Sequence, residues 1–375
     1  MRIGIDIRLI GKKQTGGEVY FFNLVKYLAR IDKENHYLLF IDRDPARDRL
    51  LAREIESLKL GSNFKIIYLN SPSRFWWNLW ALPNYLKKNP VNIFHTQYIA
   101  PFWLPKNIKL MLTIHDISFN YFPQYIKYSD LLFLRALIPR SIRRADKVIT
   151  VSESEKNSIA DFYKISPAKV DFAYNGVEAE KYGHNFSGEE KENVRKKYNL
   201  PENYLLYIGT LQPRKNIPVI IKAIKGLNIK LVIAGNRKAH NFDKKIDETV
   251  SKNNLGERVI FPGWIEEKDK PVLLQMADCF VLPSLYEGFG IPIIEAIAAG
   301  TPIVCSDIPI FREISGDAAL FCDPESSGEF TGNISKILSD QSLKEKLIKS
   351  GIESAKKFEW QNMAQKTLAI YKNII

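Results

Sequence analysis

Cys279-Phe280-Val281-Leu282-Pro283-Ser284-Leu285-Tyr286-Glu287-Gly288-Phe289-Gly290-Ile291-Pro292-Ile293-Ile294-Glu295 passes from a short apolar run, through a loop with two glycines, into a segment whose second residue is proline. Four unbroken apolar residues bounded by Pro283 read as a strand buried on both faces, the kind that parallel sheets use. Pro292 suits the first turn of a helix, where its missing amide hydrogen has no intrahelical partner to lose. A strand that leads straight into a helix is half of a β-α-β unit, and the pattern recurs along the chain.

Outward from that stretch, short apolar runs bounded by Gly, Asn or Pro alternate with longer segments of helical period, the signature of a parallel sheet covered by helices. In the first half the expected strands are 2–8, 37–41, 64–69, 92–95, 109–114 and 147–151. In the second half they are 204–208, 229–234, 258–261, 279–282, 302–305 and 319–322. A length of 375 residues is more than twice a typical domain, so two doubly wound domains are expected. Tyr174-Asn175-Gly176-Val177 is a turn signal. It opens a polar stretch to about residue 200, with Gly183, Gly188 and the charged run Glu189 to Lys197, and the domain linker is placed there. No period of 20–50 residues repeats, which argues against a solenoid.

Composition excludes several classes. Apolar residues at 45% and charged residues at 26% are globular averages, not those of a disordered or collagen-like chain. The net charge of +12 is lopsided: residues 1–175 hold 27 Lys+Arg against 16 Asp+Glu, and residues 176–375 hold 27 against 26. Such a field favours an anionic partner for the first half, whether phosphates, acidic saccharides or an anionic membrane, unless it is only a solvated basic surface. Cys279, Cys305 and Cys322 are odd in number and lack metal-ligand spacing, which implies a reducing compartment. Met1 leads directly into the apolar run from Ile3 to Ile7, without the pattern of a signal peptide, and no run of about 18 apolar residues occurs. A cytoplasmic protein that does not span the membrane is expected.

Two segments depart from the alternation. Residues 75–80 read Phe-Trp-Trp-Asn-Leu-Trp, and the apolar segment Leu131 to Ile138 is followed by Arg140, Arg143, Arg144 and Lys147. Aromatics beside a basic amphipathic helix can mark a surface that lies on lipid. Equally, Trp76, Trp77 and Trp80 can pack between helices while the arginines favour a helix end. Three tryptophans within six residues cannot all face one way on a helix.

In an open parallel sheet, ligands bind outside the carboxyl ends of the strands, so the strand-to-helix loops carry the candidate chemistry. Gly11-Lys12-Lys13-Gln14-Thr15-Gly16-Gly17-Glu18 follows the first strand, and paired glycines at a helix start let amides approach an anion. It fits neither the dinucleotide fingerprint nor the P-loop, and a plain turn is the competing reading. His115-Asp116 follows strand 109–114, where an imidazole can carry a proton or donate to a substrate oxygen; a capping Asp116 and a core His115 form the bland alternative. Gly209-Thr210-Leu211-Gln212-Pro213-Arg214-Lys215-Asn216-Ile217-Pro218 places two cations where a helix begins, with Asn216 as the expected N-cap. Two cations at a positive dipole end repel one another unless an anion is present. In the opening stretch, the amides of Gly288, Phe289, Gly290 and Ile291 can face an anion, while Glu287 and Glu295, eight positions apart, remain to hold hydroxyls. A diphosphate flanked by two sugars has that distribution of groups.

The same residues carry a family resemblance. Glu287 to Glu295 resembles the E-x7-E motif of retaining glycosyltransferases, and Gly209 to Asn216 resembles their Arg-Lys loop. Thr113-Ile114-His115-Asp116, Asn175-Gly176-Val177 and Phe358-Glu359-Trp360 extend the likeness to glycosyltransferase family 4 over almost the whole chain. The resemblance implies the GT-B fold, two Rossmann-like doubly wound α/β domains facing across a cleft. Residues 1–175 would form the acceptor-side domain and residues 176–357 the nucleotide-sugar domain, with a terminal helix in 358–375 crossing back onto the first. It further implies that Arg214 and Lys215 contact the donor diphosphate, Gly209 belongs to their loop, and Glu295 binds the ribose. Glu287 and the amides at Gly288 to Ile291 would hold the donor sugar and phosphate, Gly16 and Gly17 would approach the diphosphate, and His115 would contact the transferred sugar. Glu287, His115, Arg214 and Lys215 are thus the expected catalytic residues, with no unambiguous acceptor base.

The tryptophan stretch resembles that of members that build bacterial surface polysaccharides. The expected activity is therefore retaining hexosyl transfer, independent of metal or cofactor, from a nucleotide-diphosphate sugar, with GDP-mannose the guess. The acceptor would be a saccharide or lipid-linked saccharide, with peripheral contact at the inner membrane face through the basic first domain. The rival readings are a sugar-nucleotide 2-epimerase and a basic nucleic-acid-binding protein; for the latter the chain offers no recognised motif.

Overall fold

The computed structural model describes residues 1–12, 16–239 and 241–375. It contains two sheets. The first comprises β1 (Arg2–Asp6), β2 (His36–Ile41), β3 (Phe64–Tyr68), β4 (Ile93–Gln97), β5 (Lys109–Thr113), β6 (Lys147–Thr150) and β7 (Val170–Phe172), in the order β3-β2-β1-β4-β5-β6-β7. The second comprises β8 (Tyr204–Ile208), β9 (Lys230–Ala234), β10 (Val259–Gly263), β11 (Cys279–Leu282), β12 (Ile303–Ser306) and β13 (Ala319–Cys322), in the order β10-β9-β8-β11-β12-β13. Every strand pair is parallel. Each sheet reverses its strand order beside its first strand, between β1 and β4 and between β8 and β11, and such switch points are where doubly wound sheets bind ligands.

All twelve strands expected from sequence are present, with ends that differ by a few residues. β7 is additional. Its three residues, Val-Asp-Phe, are too few for periodicity to register, and it is defined by pairing, with Val148 opposite Val170. The stretch after Gly176, where the sequence places the domain linker, holds the helices Ala179–Tyr182 and Gly188–Tyr198. The second starts with a capping box: Ser187 Oγ accepts from the Glu190 amide at 3.2 Å, and Glu190 Oε2 accepts from the Ser187 amide at 2.8 Å. Arg195, Lys196 and Lys197 occupy its last turn, and Val194 and Tyr198 are its buried residues. The polar run is a capped surface helix with a narrow apolar edge.

The chain divides into two compact units, one of residues 1–121, 126–175 and 360–375, the other of residues 122–125 and 176–359. In the first unit the terminal helix Trp360–Ile374 lies against the helix Gly16–Ile31. His95 joins it to the sheet: Nδ1 is 2.6 Å from the Tyr371 hydroxyl and Nε2 is 2.6 Å from Thr113 Oγ1. The ring is wholly buried, and burial together with the charge of His115 lowers its pKa to about 3.

The aromatic stretch divides between the two readings that the sequence left open. Trp77 is buried, with the Arg8 guanidinium 3.5 Å above its ring, whereas Phe75, Trp76 and Trp80 are each about half exposed. A single π-helical turn over Trp77–Ala81 separates these directions.

Candidate functional site

In the second unit, the candidate residues follow β8 and β11, neighbours at the switch point. The loop after β8 makes a short 3-10 turn, Pro213–Lys215, before the helix Ile217–Ala223. Asn216 does not act as the expected side-chain cap. Its backbone is left-handed, φ 53°, and its side-chain Nδ2 donates to the Pro324 carbonyl at 2.6 Å. The left-handed step puts Arg214 and Lys215 on the turn ahead of the helix, and the Leu285 amide clips this loop to the next by donating to the Arg214 carbonyl at 2.9 Å.

The two cations converge on Glu287. Arg214 Nη1 lies 3.3 Å from Glu287 Oε2 and donates to the Tyr286 carbonyl at 2.7 Å. Lys215 Nζ and Ser284 Oγ both donate to Glu287 Oε1, the latter at 2.8 Å. The anion that relieves repulsion between the cations is thus supplied by the fold itself. Burial alone would raise the Glu287 pKa, but the Lys215 and Arg214 charges and the hydrogen bonds from Lys215 and Ser284 hold it at about 2. Two cations against one carboxylate leave a net positive charge.

Beside this trio the helix Ile291–Ala298 begins, with Gly290 at φ 105°. A β-carbon there would meet the Phe311 ring at 3.0 Å in a conformation that L side chains rarely adopt, so only glycine fits without strain. The Gly290 and Ile291 amides make no hydrogen bond among the described residues, and an open helix start is an anion site by construction. Phe289 turns its ring into the interior against Phe358. One turn into the helix, the buried Glu295 accepts at Oε1 from the Tyr182 hydroxyl at 2.6 Å and lies 3.8 Å from Lys270 Nζ. Gly209 serves backbone packing: its amide donates to the Ala234 carbonyl at 3.0 Å, and a β-carbon on Gly235 would fall 2.3 Å from the Gly209 oxygen.

In the first unit, three residues meet at the ends of β1, β4 and β5. A β-carbon on Gly17 would lie 2.9 Å from Gln97 Oε1 and 3.3 Å from His115 Nε2, and His115 Nε2 is itself 3.1 Å from Gln97 Oε1. The Tyr20 ring packs edge-on to His115 at 5.1 Å between centroids. Burial lowers the imidazole pKa to about 4, against a small opposing effect of Asp116, so the ring is neutral at pH 7. Asp116 caps the turn after it, accepting from the Ser118 amide and hydroxyl at 3.0 and 2.7 Å. Gly16 is exposed and meets nothing. Lys13, Gln14 and Thr15 of the same loop lie outside the described residues.

Gln97, Ser284, Tyr182 and Lys270 were not singled out from sequence. Gln97 ends a strand whose predicted limit fell two residues earlier, and Tyr182 lies in the stretch read as linker. Among the described residues, no group of three His, Cys, Asp or Glu is placed to hold a metal, and no helix is long and apolar enough to cross a membrane.

The buried His95 and the half-buried His115 give stability an acid dependence. Their folded pKa values, about 3 and about 4, lie below the ordinary 6.5, so the unfolded chain binds protons first as pH falls. Stability is therefore full above pH 6.5 and declines towards pH 3–4, by a few kcal/mol at about 1.4 kcal/mol per pKa unit and site. Urea midpoints measured from pH 7 to 4.5 should fall, and a flat series would show that these rings are not buried neutral.

The model for Glycosyltransferase Family 4 matches residues 14–181, and that for Glycosyl transferases group 1 matches residues 190–354. O-antigen chain mannosyltransferase B of Escherichia coli is 29% identical over 382 residues, 96% of each chain. O-antigen chain mannosyltransferase RfbU of Salmonella typhimurium is 32% identical over 228 residues, 60% of each. Among solved structures, the sucrose-phosphate synthase of Thermosynechococcus elongatus superposes with a TM-score of 0.78 at 21% identity, covering 100% of this chain and 99% of its own. HepE of Anabaena, in complex with UDP and glucose, gives 0.76 at 17% identity over the whole of both chains. Two switch-point loops that bring paired cations, a glutamate and an open helix start together agree with these matches, and the chain belongs to the glycosyltransferases that join a family 4 domain to a group 1 domain.

Proposed function

We propose that the protein is a retaining mannosyltransferase that takes the hexose from GDP-mannose and attaches it to a hydroxyl of a saccharide or lipid-linked saccharide in surface polysaccharide synthesis. The observation that carries this reading is the largely covered Glu287 carboxylate fixed between Arg214 and Lys215 beside the open amides of Gly290 and Ile291. Bond breaking at the anomeric carbon loads negative charge onto the diphosphate, and two cations with a helix start take up that charge without reorganising. Glu295, with Oε2 accepting no hydrogen bond among the described residues, accepts from ribose hydroxyls. Glu287 anchors the sugar hydroxyls and favours the positive charge of the oxocarbenium-like transition state. Neutral His115, held by Gln97, addresses the transferred sugar. The mannose and polysaccharide assignments are supported by relatives named O-antigen mannosyltransferases.

Thermal-shift titration with GDP-, UDP- and dTDP-sugars reads donor choice, since a ligand at 100 times its Kd stabilises by about 2.7 kcal/mol. GDP-mannose should give the largest shift, and mannosyl transfer should require acceptor and survive a chelator. Epimerised sugar formed without acceptor, or loss of turnover on chelation, would overturn the reading.

A further inference from the structure

Two adjacent residues at the end of β4 serve different neighbours. Gln97 meets His115, whereas Thr96 Oγ1 donates to Asp6 Oδ2 at 2.9 Å, and successive side chains of a strand point to opposite faces. Asp6 ends β1 one step past the pairing of Ile5 with His95. It therefore stands at the switch point of the first sheet, where a doubly wound domain takes its ligand. The residue is buried, and no step proposed above uses it. Its partner is Arg8: Nε donates to Asp6 Oδ1 at 2.9 Å, Nη2 to Oδ2 at 2.7 Å, and the Arg8 amide to Oδ1 at 3.2 Å. The guanidinium also lies 3.5 Å above the Trp77 ring. Fork and ring together fix its orientation.

The cluster has donors to spare and no acceptor left. Of the five N–H groups of a guanidinium, two go to Asp6, while both on Nη1 and one on Nη2 make no hydrogen bond among the described residues. Trp77 Nε1, buried, also has no partner among them. Each Asp6 oxygen already accepts two bonds, Oδ1 from the Arg8 amide and Nε, Oδ2 from Nη2 and Thr96. With its side chain 13% exposed, Arg8 is covered enough for open donors to cost free energy, yet its free edge is not sealed. The ligand that completes this arrangement brings oxygen acceptors. Burial alone would raise the Asp6 pKa, but the charge and hydrogen bonds of Arg8 and the bond from Thr96 lower it, so the pair is ionised and carries no net charge near neutral pH. A phosphate would meet the carboxylate as well as the guanidinium. Uncharged hydroxyl oxygens meet the donors without that penalty.

We propose that Arg8, held by Asp6 and Trp77, binds the acceptor saccharide by donating from its free edge to two adjacent hydroxyls. The inference rests on the transferase reading and adds the residue that recognises the acceptor.

The test is isothermal titration of the full chain, with GDP present, using mannotriose, a neutral saccharide with adjacent free hydroxyls, and separately inorganic phosphate. Mannotriose should bind, and phosphate should not displace it. Arg8→Lys keeps the charge but loses the planar fork, and should weaken mannotriose about tenfold, the worth of one hydrogen bond to a charged group, while the thermal shift with GDP stays at its wild-type value. Asp6→Asn keeps the shape and leaves the Arg8 charge uncompensated, so the preference should turn: mannotriose weakened, phosphate bound. An Arg8 with a purely structural role would lower Tm in both variants without that exchange of ligand. Mannotriose that fails to bind the wild type, binds Arg8→Lys equally well, or is displaced from the wild type by phosphate would overturn the proposal. A missing thermal shift with every nucleotide sugar would instead overturn the transferase reading beneath it.

Discussion

Glu287→Gln is expected to lower kcat for glycosyl transfer about 100- to 1,000-fold, with a much smaller change in affinity for the nucleotide. Glutamine keeps the shape and one hydrogen-bond acceptor but removes the charge that faces Arg214 and Lys215. Loss of one preorganised charge or donor in a closed site costs about 3–4 kcal/mol of barrier. Stability should fall as well. Because the carboxyl pKa is held at about 2 against the usual 4.5, the ionised form contributes about 3 kcal/mol. The sign follows from the depressed value: this stability is present above pH 4.5 and is lost as pH falls towards 2. Urea unfolding of wild type and Glu287→Gln should differ at pH 7 and converge in acid, while initial rates report kcat. A variant with unchanged turnover would remove Glu287 from the reaction.

Lys215→Ala and Arg214→Ala are each expected to reduce kcat about 100- to 1,000-fold and, unlike Glu287→Gln, to weaken binding of the nucleoside diphosphate. The double variant should fall short of the product of the single losses, since both cations bear on the one Glu287 carboxylate. In Lys215→Ala the carboxylate loses its largest lowering influence, so the acidic limb of the pH-rate profile should move upward. Isothermal titration with GDP, alongside pH-rate profiles, separates binding from chemistry. If GDP affinity were unaffected in both variants, the diphosphate would have to be held elsewhere.

Much of the architecture was legible in sequence because parallel strands are buried on both faces and stand out as unbroken apolar runs. Tyr204–Ile208, buried along its whole length, is an example. β7 was not legible, since three residues carry no period. The helix Gly188–Tyr198 was hidden for the opposite reason: its few buried positions lie among charges, and the charged run hid the capping box that starts it. At the candidate site, Arg214, Lys215, Glu287 and Glu295 were visible as charges in loops at strand ends. Their partners were not, because Tyr182 reaches Glu295 across 113 positions and Lys215 reaches Glu287 across 72.

The amino-acid order alone determined which segments become strands and helices, and which loops could carry an anion site, because periodicity, proline and glycine act over a few neighbouring residues. Only the tertiary structure decided that Glu287 sits between two cations, that Gly17 packs against Gln97 and His115 too closely for a side chain, and that Trp77 is enclosed while Trp76 and Trp80 are not. Those outcomes depend on which strands become neighbours and which face of a turn is covered. Charge and burial act through space, over distances that the order of residues along the chain does not record.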